Sequence, residues 1–156
     1  MRAEFINPFV KAAYNVLEQE VQAEIKKGQL SIEESSVTTQ DDVTVLIGVT
    51  GQLAGVVMYS LAERTAKNLV SRMLGQPVPV FDDMVESAVA ELGNVISGLA
   101  SAQLEANGFI CHIAPPTVIV GRGVIISTVN IKKLVIPLET QYGNLRIAVA
   151  LKETGK

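Results

Sequence analysis

Hydrophobic and polar positions follow two rhythms along this chain, and the switches between them mark its elements. From Phe9 onward the apolar residues Ala12, Ala13, Val16, Leu17, Val21 and Ile25 keep a helical period. Asn7-Pro8 opens this helix as cap and first helical position. Gly28 is the expected C-cap. Leu30 to Thr39 is polar and β-branched with partial alternation, which predicts one exposed edge strand. Asp41-Asp42 is a turn, and Val43 to Val49 with Leu53 to Ser60 reads as a buried hairpin around Gly51. Helical spacing returns over Ala62 to Leu74, with Ala66, Leu69, Val70 and Met73 on one face and Gly75 at the end. Gln76-Pro77-Val78-Pro79 follows as a stiff connector, because both prolines fix their backbone.

The chain is organised around the next element, a helix predicted over Phe81 to Asn107. Asp82 or Asp83 suits its start, where negative charge meets the positive end of the helix dipole. At about 100° per residue, Val85, Val89, Leu92, Ile96 and Leu99 form a narrow apolar stripe. Ser87, Glu91, Asn94, Gly98 and Glu105 fall on nearly the opposite side. Glu91 and Asn94, three apart, are neighbours there. Gly98 leaves space one turn later, so an acid and an amide stand together where another molecule can approach. Pattern alone leaves two readings open: a site, or the ordinary solvated face of an amphipathic helix.

Beyond Asn107-Gly108 the rhythm is again that of strands. Phe109 to Ala114, the break Pro115-Pro116, Thr117 to Val120 and the turn Gly121-Arg122-Gly123 lead to Val124 to Asn130. Lys132 to Glu139 and Asn144 to Leu151 close the chain around a tight turn at Tyr142-Gly143-Asn144. A weak internal repeat runs through this order. Val45-Leu46-Ile47-Gly48-Val49 is echoed by Leu134-Val135-Ile136-Pro137-Leu138. Each half reads as a helix followed by about three strands. The expectation is a pseudo-symmetric α+β fold with long helices packed on an antiparallel sheet.

Composition narrows the picture. At 156 residues the sequence fits one domain over 1–156. Hydrophobic residues make up 48% and charged residues 19%, so the chain is globular rather than disordered. Aromatics are only 4% and Trp is absent, which leaves Val, Ile, Leu and Ala to build the core. A net charge of −3 argues against a nucleic-acid partner. The lone Cys111 excludes an internal disulfide and fits a reduced, cytoplasmic setting. No apolar run of signal-peptide type occupies the first ten residues. Val43 to Ala62 carries no charge and has the length of a membrane span, but Gly51-Gln52 at its centre favours two buried strands over a span.

Several chemistries find no footing. A metal site needs several ligands, and Cys111-His112 offers one cysteine beside the only histidine, pointing to opposite faces of a strand. Neither a nucleophile elbow nor a phosphate-cradling loop is present. The readings are therefore no metal ligands and no cofactor of its own.

Glu91-Leu92-Gly93-Asn94 resembles the Glu-x-x-Asn signature of the CheC/CheX family of bacterial chemotaxis phosphatases, with its usual Leu-Gly filling. Pro115-Pro116-Thr117-Val118 and Gly121-Arg122 are similar to the segment that follows this helix in CheX proteins, and Asn7-Pro8 falls at their first helix. The resemblance covers nearly the whole chain. It implies a CheC-like fold and hydrolysis of the aspartyl phosphate on a CheY-type response regulator. In the family the Glu pairs with a lysine of the regulator and the Asn orients the attacking water. Those roles would fall on Glu91 and Asn94, with Ser87, Gly98, Ser101 and Glu105 as further partner-binding positions. The Mg²⁺ of such a reaction would sit in the regulator. An amide suits the task, since phosphoryl transfer needs positioning more than covalent chemistry. Glu4-Phe5-Ile6-Asn7 matches Glu-x-x-Asn formally, but Asn7 precedes a proline, which disfavours helical geometry there. One working motif is the CheX pattern, and CheX-type members form homodimers, so a homodimer is expected. The competing reading is a non-catalytic adaptor of the same fold that binds a regulator without hydrolysis.

Overall fold

The computed structural model describes residues 3–155, so the ends of the 1–156 span lie outside the described residues. A short 3₁₀ turn, Ala3–Phe5, leads into helix α1, Asn7–Val21. The strands β1 (Lys26–Lys27), β2 (Ser31–Glu33), β3 (Ser36–Thr38), β4 (Val43–Gly51) and β5 (Leu53–Leu61) follow. Helix α2 (Glu63–Leu74) and the long helix α3 (Asp83–Ala106) come next. The strands β6 (Cys111–Ile113), β7 (Thr117–Val120), β8 (Ile125–Ser127), β9 (Lys133–Thr140) and β10 (Gly143–Glu153) complete the chain.

The two halves interlock strand by strand. At the centre β5 and β10 pair antiparallel, with Val57 opposite Val149. Each is flanked by its own hairpin partner, β4 and β9, giving the order β9-β10-β5-β4. The outer edge of β9 is covered by β1 and β2 from the first half, and that of β4 by β6 and β7 from the second. Off the main sheet, β3 and β8 pair as a two-stranded ribbon. Helix α1 and strands β1 to β5 of the first half thus have counterparts in α3 and β6 to β10, with α2 inserted between them. The repeat read from sequence falls into place here. Gly48 accepts a hydrogen bond from Ala114 N in the gap between β6 and β7, and Pro137 accepts one from Gly28 N in the gap between β1 and β2. Pro137 sits where its missing N–H matters least.

Alternation along the central strands sends Val43, Val45, Ile47, Val57, Tyr59, Leu61, Ile147 and Val149 toward the helices, where all are buried. Phe9, Ala13, Val16 and Leu17 of α1 and Val85, Val89, Ile96 and Leu104 of α3 close the same core. The uncharged run from Val43 to Ala62 is the β4–β5 hairpin. Among the described residues no helix is long and apolar enough to cross a membrane.

Four expectations need correction. Helix α1 does not run to Gly28. It stops at Val21, and Gln22 takes a left-handed conformation with φ 50°. The cause is tertiary: the β9–β10 turn supplies Tyr142, whose hydroxyl donates to Val21 O at 2.6 Å, and Gln141, whose amide donates to Gln22 O and accepts from Glu24 N. Gly28 is not a cap but a close approach, because a Cβ there would meet Pro137 Cγ at 2.5 Å. Asn7 is the first residue of α1 rather than its cap; Ile6 stands before it and makes no side-chain cap bond. Leu30 to Thr39 is not one strand but two, β2 on the main sheet and β3 in the ribbon. Lys133 makes the bend between them by donating to Glu34 O and Ser35 O at 2.8 and 3.0 Å.

Candidate active site

Helix α3 starts where the sequence places it. Asp82 is the N-cap, and its carboxylate accepts from Val85 N at 3.1 Å. The helix packs on β4, β6 and β7 and against α1 and α2. Its buried face is Val85, Val89, Leu92, Gly93, Ile96, Ser97, Ala100 and Leu104. This differs from the predicted stripe at its end. Leu99 is 49% exposed, and Ala100 with Leu104 takes the core positions instead. The buried face is broader than the stripe and turned toward Gly93 and Ser97, so Leu99 falls on its outer shoulder.

The Leu-Gly filling of the motif has a packing reason. Leu92 is buried, and Gly93 lies so near the sheet that a Cβ would stand 3.1 Å from Val45 Cγ1 and 3.2 Å from the Tyr59 ring. One turn on, Ser97 is fully buried and its hydroxyl bonds the Tyr59 hydroxyl at 2.7 Å. Burial pushes the Tyr59 phenol well above the ordinary tyrosine range, against the smaller opposing effect of the Ser97 bond, so the pair stays neutral. This neutral bond seats the middle of α3 on β5. Sequence reasoning missed both residues. The signal available was a serine on the apolar side of an amphipathic helix, which must find a partner if buried.

On the other side Glu91 is exposed and Asn94 is half-buried. Among the described residues neither side chain has a hydrogen-bond or ion-pair partner. Ser87, Gly98 and Glu105 are exposed on the same side. A Cβ at Gly98 would touch only Ile113 Cδ1, at 4.0 Å, so the space there is open to another molecule. Ser101 is turned inward: its hydroxyl donates to Cys111 O at 3.0 Å and ties α3 to β6. The ridge also carries two apolar groups, Val95, which the sequence reading did not assign, and Leu99, which it placed on the packed stripe. Val95 and Leu99 are 41% and 49% exposed, and they follow Glu91 at successive four-residue steps.

The first-half Glu4 and Asn7 border one surface groove with Pro8 and Lys11, and Asn7 is helical despite the proline that follows it. Glu4 lies in the 3₁₀ turn and Asn7 starts α1. Cys111 is buried and His112 exposed on β6. Among the described residues no group of three or more His, Cys, Asp or Glu side chains is placed to hold a metal ion.

Long helices packed on a pseudo-symmetric antiparallel sheet are the CheC-like fold, and comparison with known proteins agrees. The family described as "Chemotaxis phosphatase CheX" matches residues 43–139. The "CheY-P phosphatase CheX" of Thermotoga maritima is 32% identical over 123 residues, covering 78% of this chain and 79% of that protein. A CheC-like superfamily protein from Shewanella sp. PV-4 superposes with a TM-score of 0.87 at 28% identity, covering 97% of this chain and 99% of that one. A chain from the crystal structure of a CheX–CheY–BeF₃–Mg²⁺ complex of Borrelia burgdorferi gives 0.75 at 25% identity, covering 97% and 100%. The chain belongs to the CheX family of chemotaxis phosphatases.

Proposed function

We propose that this protein is a phosphatase that hydrolyses the aspartyl phosphate of a CheY-type response regulator. Glu91 docks the regulator through a lysine, and Asn94 enters its active site to orient the attacking water. The observation that carries this reading is the Glu91/Asn94 pair itself. Both side chains are free of partners in the fold, and both stand on a ridge that Gly98 leaves open. A charged acid and a free amide on a well-seated helix are suited to a partner rather than to the fold. The named activity of the Thermotoga maritima relative and the CheX–CheY complex of Borrelia burgdorferi support the choice of partner. The Mg²⁺ belongs to the regulator's site in this reading, and this chain supplies position and polarity. Asn94 is neutral, so it can approach an anionic phosphoryl group without repulsion, and its N–H₂ and carbonyl can hold a water in line. The active species is a homodimer.

Single-turnover loss of phosphate from a phosphorylated CheY-type regulator tests the assignment. Asn94→Ala is expected to leave binding of the regulator largely intact and to cut the rate by about 10²-fold, since an orienting group acts at the transition state. Asn94→Asp places a negative charge beside the phosphoryl oxygens and removes the N–H donors, so it is expected to be at least as damaging. Equal rates for wild type and both variants would exclude Asn94. Regulator binding with no acceleration by the wild type would instead favour the adaptor of the same fold.

A further inference from the structure

Asn94 can orient a water only if the turn that carries it is held to within about 0.5 Å of its productive place. The contacts that hold this turn converge on one side chain of the sheet. Gly93 and Ser97 flank Asn94, lie four residues apart and both belong to the buried face of α3. Tyr59 meets both. The edge of its ring lies 3.2 Å from where a Cβ at Gly93 would stand, and its hydroxyl bonds Ser97 Oγ at 2.7 Å. One rigid ring thus spans one turn of the helix. The close approach at Gly93 sets how near the helix comes to the sheet. The hydroxyl bond sets its rotation and its place along its axis.

The post is itself well fixed. Tyr59 stands on the inner strand β5, paired with Val45 of β4 on one side and Ile147 of β10 on the other. It is 2% exposed, and Ser97 is fully buried. One turn beyond Ser97, the Ser101 hydroxyl donates to Cys111 O at 3.0 Å and adds a second anchor on the same line of the helix. Asn94 therefore rides on a turn held at both ends.

Stability alone gives little reason for two hydroxyls here. A buried polar pair replaced by apolar groups of the same shape is close to neutral in stability. What a hydrogen bond adds over an apolar contact is direction, because it weakens steeply off line. An orienting amide depends on direction, and a misplacement of about 1 Å costs on the order of 10²-fold in rate.

We propose that Tyr59, through Ser97, is a positioning residue for hydrolysis, setting the height and rotation of the turn that points Asn94 at the attacking water. This inference rests on the role proposed above for Asn94. Tyr59 is buried, so it reaches the transition state only by way of that amide.

Two variants test it. Tyr59→Phe keeps the ring and removes one hydroxyl. Tyr59→Phe with Ser97→Ala removes both, so no buried oxygen of the pair is left unbonded. Single-turnover phosphate loss from a phosphorylated CheY-type regulator, over a range of concentrations of this protein, separates maximal rate from half-saturation. Both variants are expected to lose about tenfold in maximal rate, with half-saturation within about twofold of wild type. The double variant is expected to melt close to wild type. A bond that served stability alone predicts the opposite there, a rate restored along with the melting temperature. The free protein supplies a readout independent of hydrolysis. In two-dimensional amide NMR the side-chain signal of Asn94 is expected to shift in both variants, while that of Asn68 on α2 stays in place. Wild-type maximal rate in either variant, a loss confined to half-saturation, or an unmoved Asn94 signal overturns the inference. If Asn94→Ala is slow and Tyr59→Phe is not, only the role of Tyr59 falls. If the wild type gives no acceleration, the hydrolysis reading falls and the role of Tyr59 with it.

Discussion

At the scale of single residues, the ridge of α3 divides its work between charge, shape and support. Glu91 is the exposed charge, and rim charges mainly set association rate and salt dependence. Glu91→Ala is expected to slow association with the regulator and flatten its dependence on ionic strength, which stopped-flow binding over a salt series would show. Unchanged rates at every salt concentration would remove Glu91 from docking. Gly93 is the support. Alanine there gains helix propensity of about 0.5–1 kcal/mol, but its methyl meets Val45 and Tyr59 at 3.1 and 3.2 Å. Overpacking of that kind costs about 1–3 kcal/mol, so packing outweighs propensity. Gly93→Ala is expected to lower the melting temperature and to displace the turn bearing Asn94, lowering the hydrolysis rate as well. A melting temperature at or above wild type would show that the helix moves without cost. The Glu91/Asn94 pairing was legible because a three-residue step fixes neighbours on any helix. The Tyr59–Ser97 bond was not, since Tyr59 lies on a strand 38 residues earlier.

Among the elements, the starts of β4 and α2 and the turn after β7 are joined through one carboxylate. Asp42 accepts from Glu63 N at 2.9 Å, standing in for the cap that Ala62 cannot supply to α2. Its other oxygen accepts from Arg122 Nε at 2.7 Å. Gly121-Arg122-Gly123 looked like a bare turn in the sequence, and the fold makes it the carrier of Asp42's partner. The Glu63 backbone bond, then the Arg122 side chain, hold the Asp42 carboxyl below its ordinary value of 3.8. A depressed folded-state pKa stabilises the protein above the unfolded pKa, and the contribution is lost as pH falls through the folded value. Asp42→Asn is therefore expected to lower stability at pH 7 and pH 5 alike, by about 1 kcal/mol for a weakened helix cap. The difference from wild type is expected to shrink only below about pH 4. Denaturant midpoints across that range check it, and a difference that does not narrow in acid would show that the charge on Asp42 is not what holds α2. Helix ends illustrate why boundaries were read less well than elements. Asp82 caps α3 locally and was visible, whereas α1 ends under Gln141 and Tyr142, which come from the far end of the chain.

For the whole molecule, pseudo-symmetry has a consequence for assembly. The sequence repeat was readable because Gly48 and Pro137 interrupt otherwise matching apolar runs. The exchange of edge strands between halves was not readable, since pairing partners leave no mark on local pattern. That exchange covers the outer edges of β4 and β9 but, among the described residues, leaves the β3–β8 ribbon joined to no further strand. Two-stranded ribbons are marginal in water and offer unpaired edges. This one is also greasy on the outside: Ile125 is 71% exposed, as is Val129, while Ile32 on neighbouring β2 is 68% exposed. Exposed aliphatic side chains of this size on and beside open edges suit a self-complementary contact, in which the same patch on two copies meets across a two-fold axis. The homodimer is therefore expected to form through the ribbon, on the side of the sheet away from α3, leaving both Glu91/Asn94 ridges free for regulators. Light scattering at micromolar concentration is expected to give the mass of two chains. Ile125→Asp places a charge in the middle of the contact and is expected to give the mass of one, with the hydrolysis rate per Asn94 ridge retained if the ribbon takes no part in chemistry. A wild type that scatters as a single chain would refute the dimer, and a variant that stays dimeric would move the interface elsewhere.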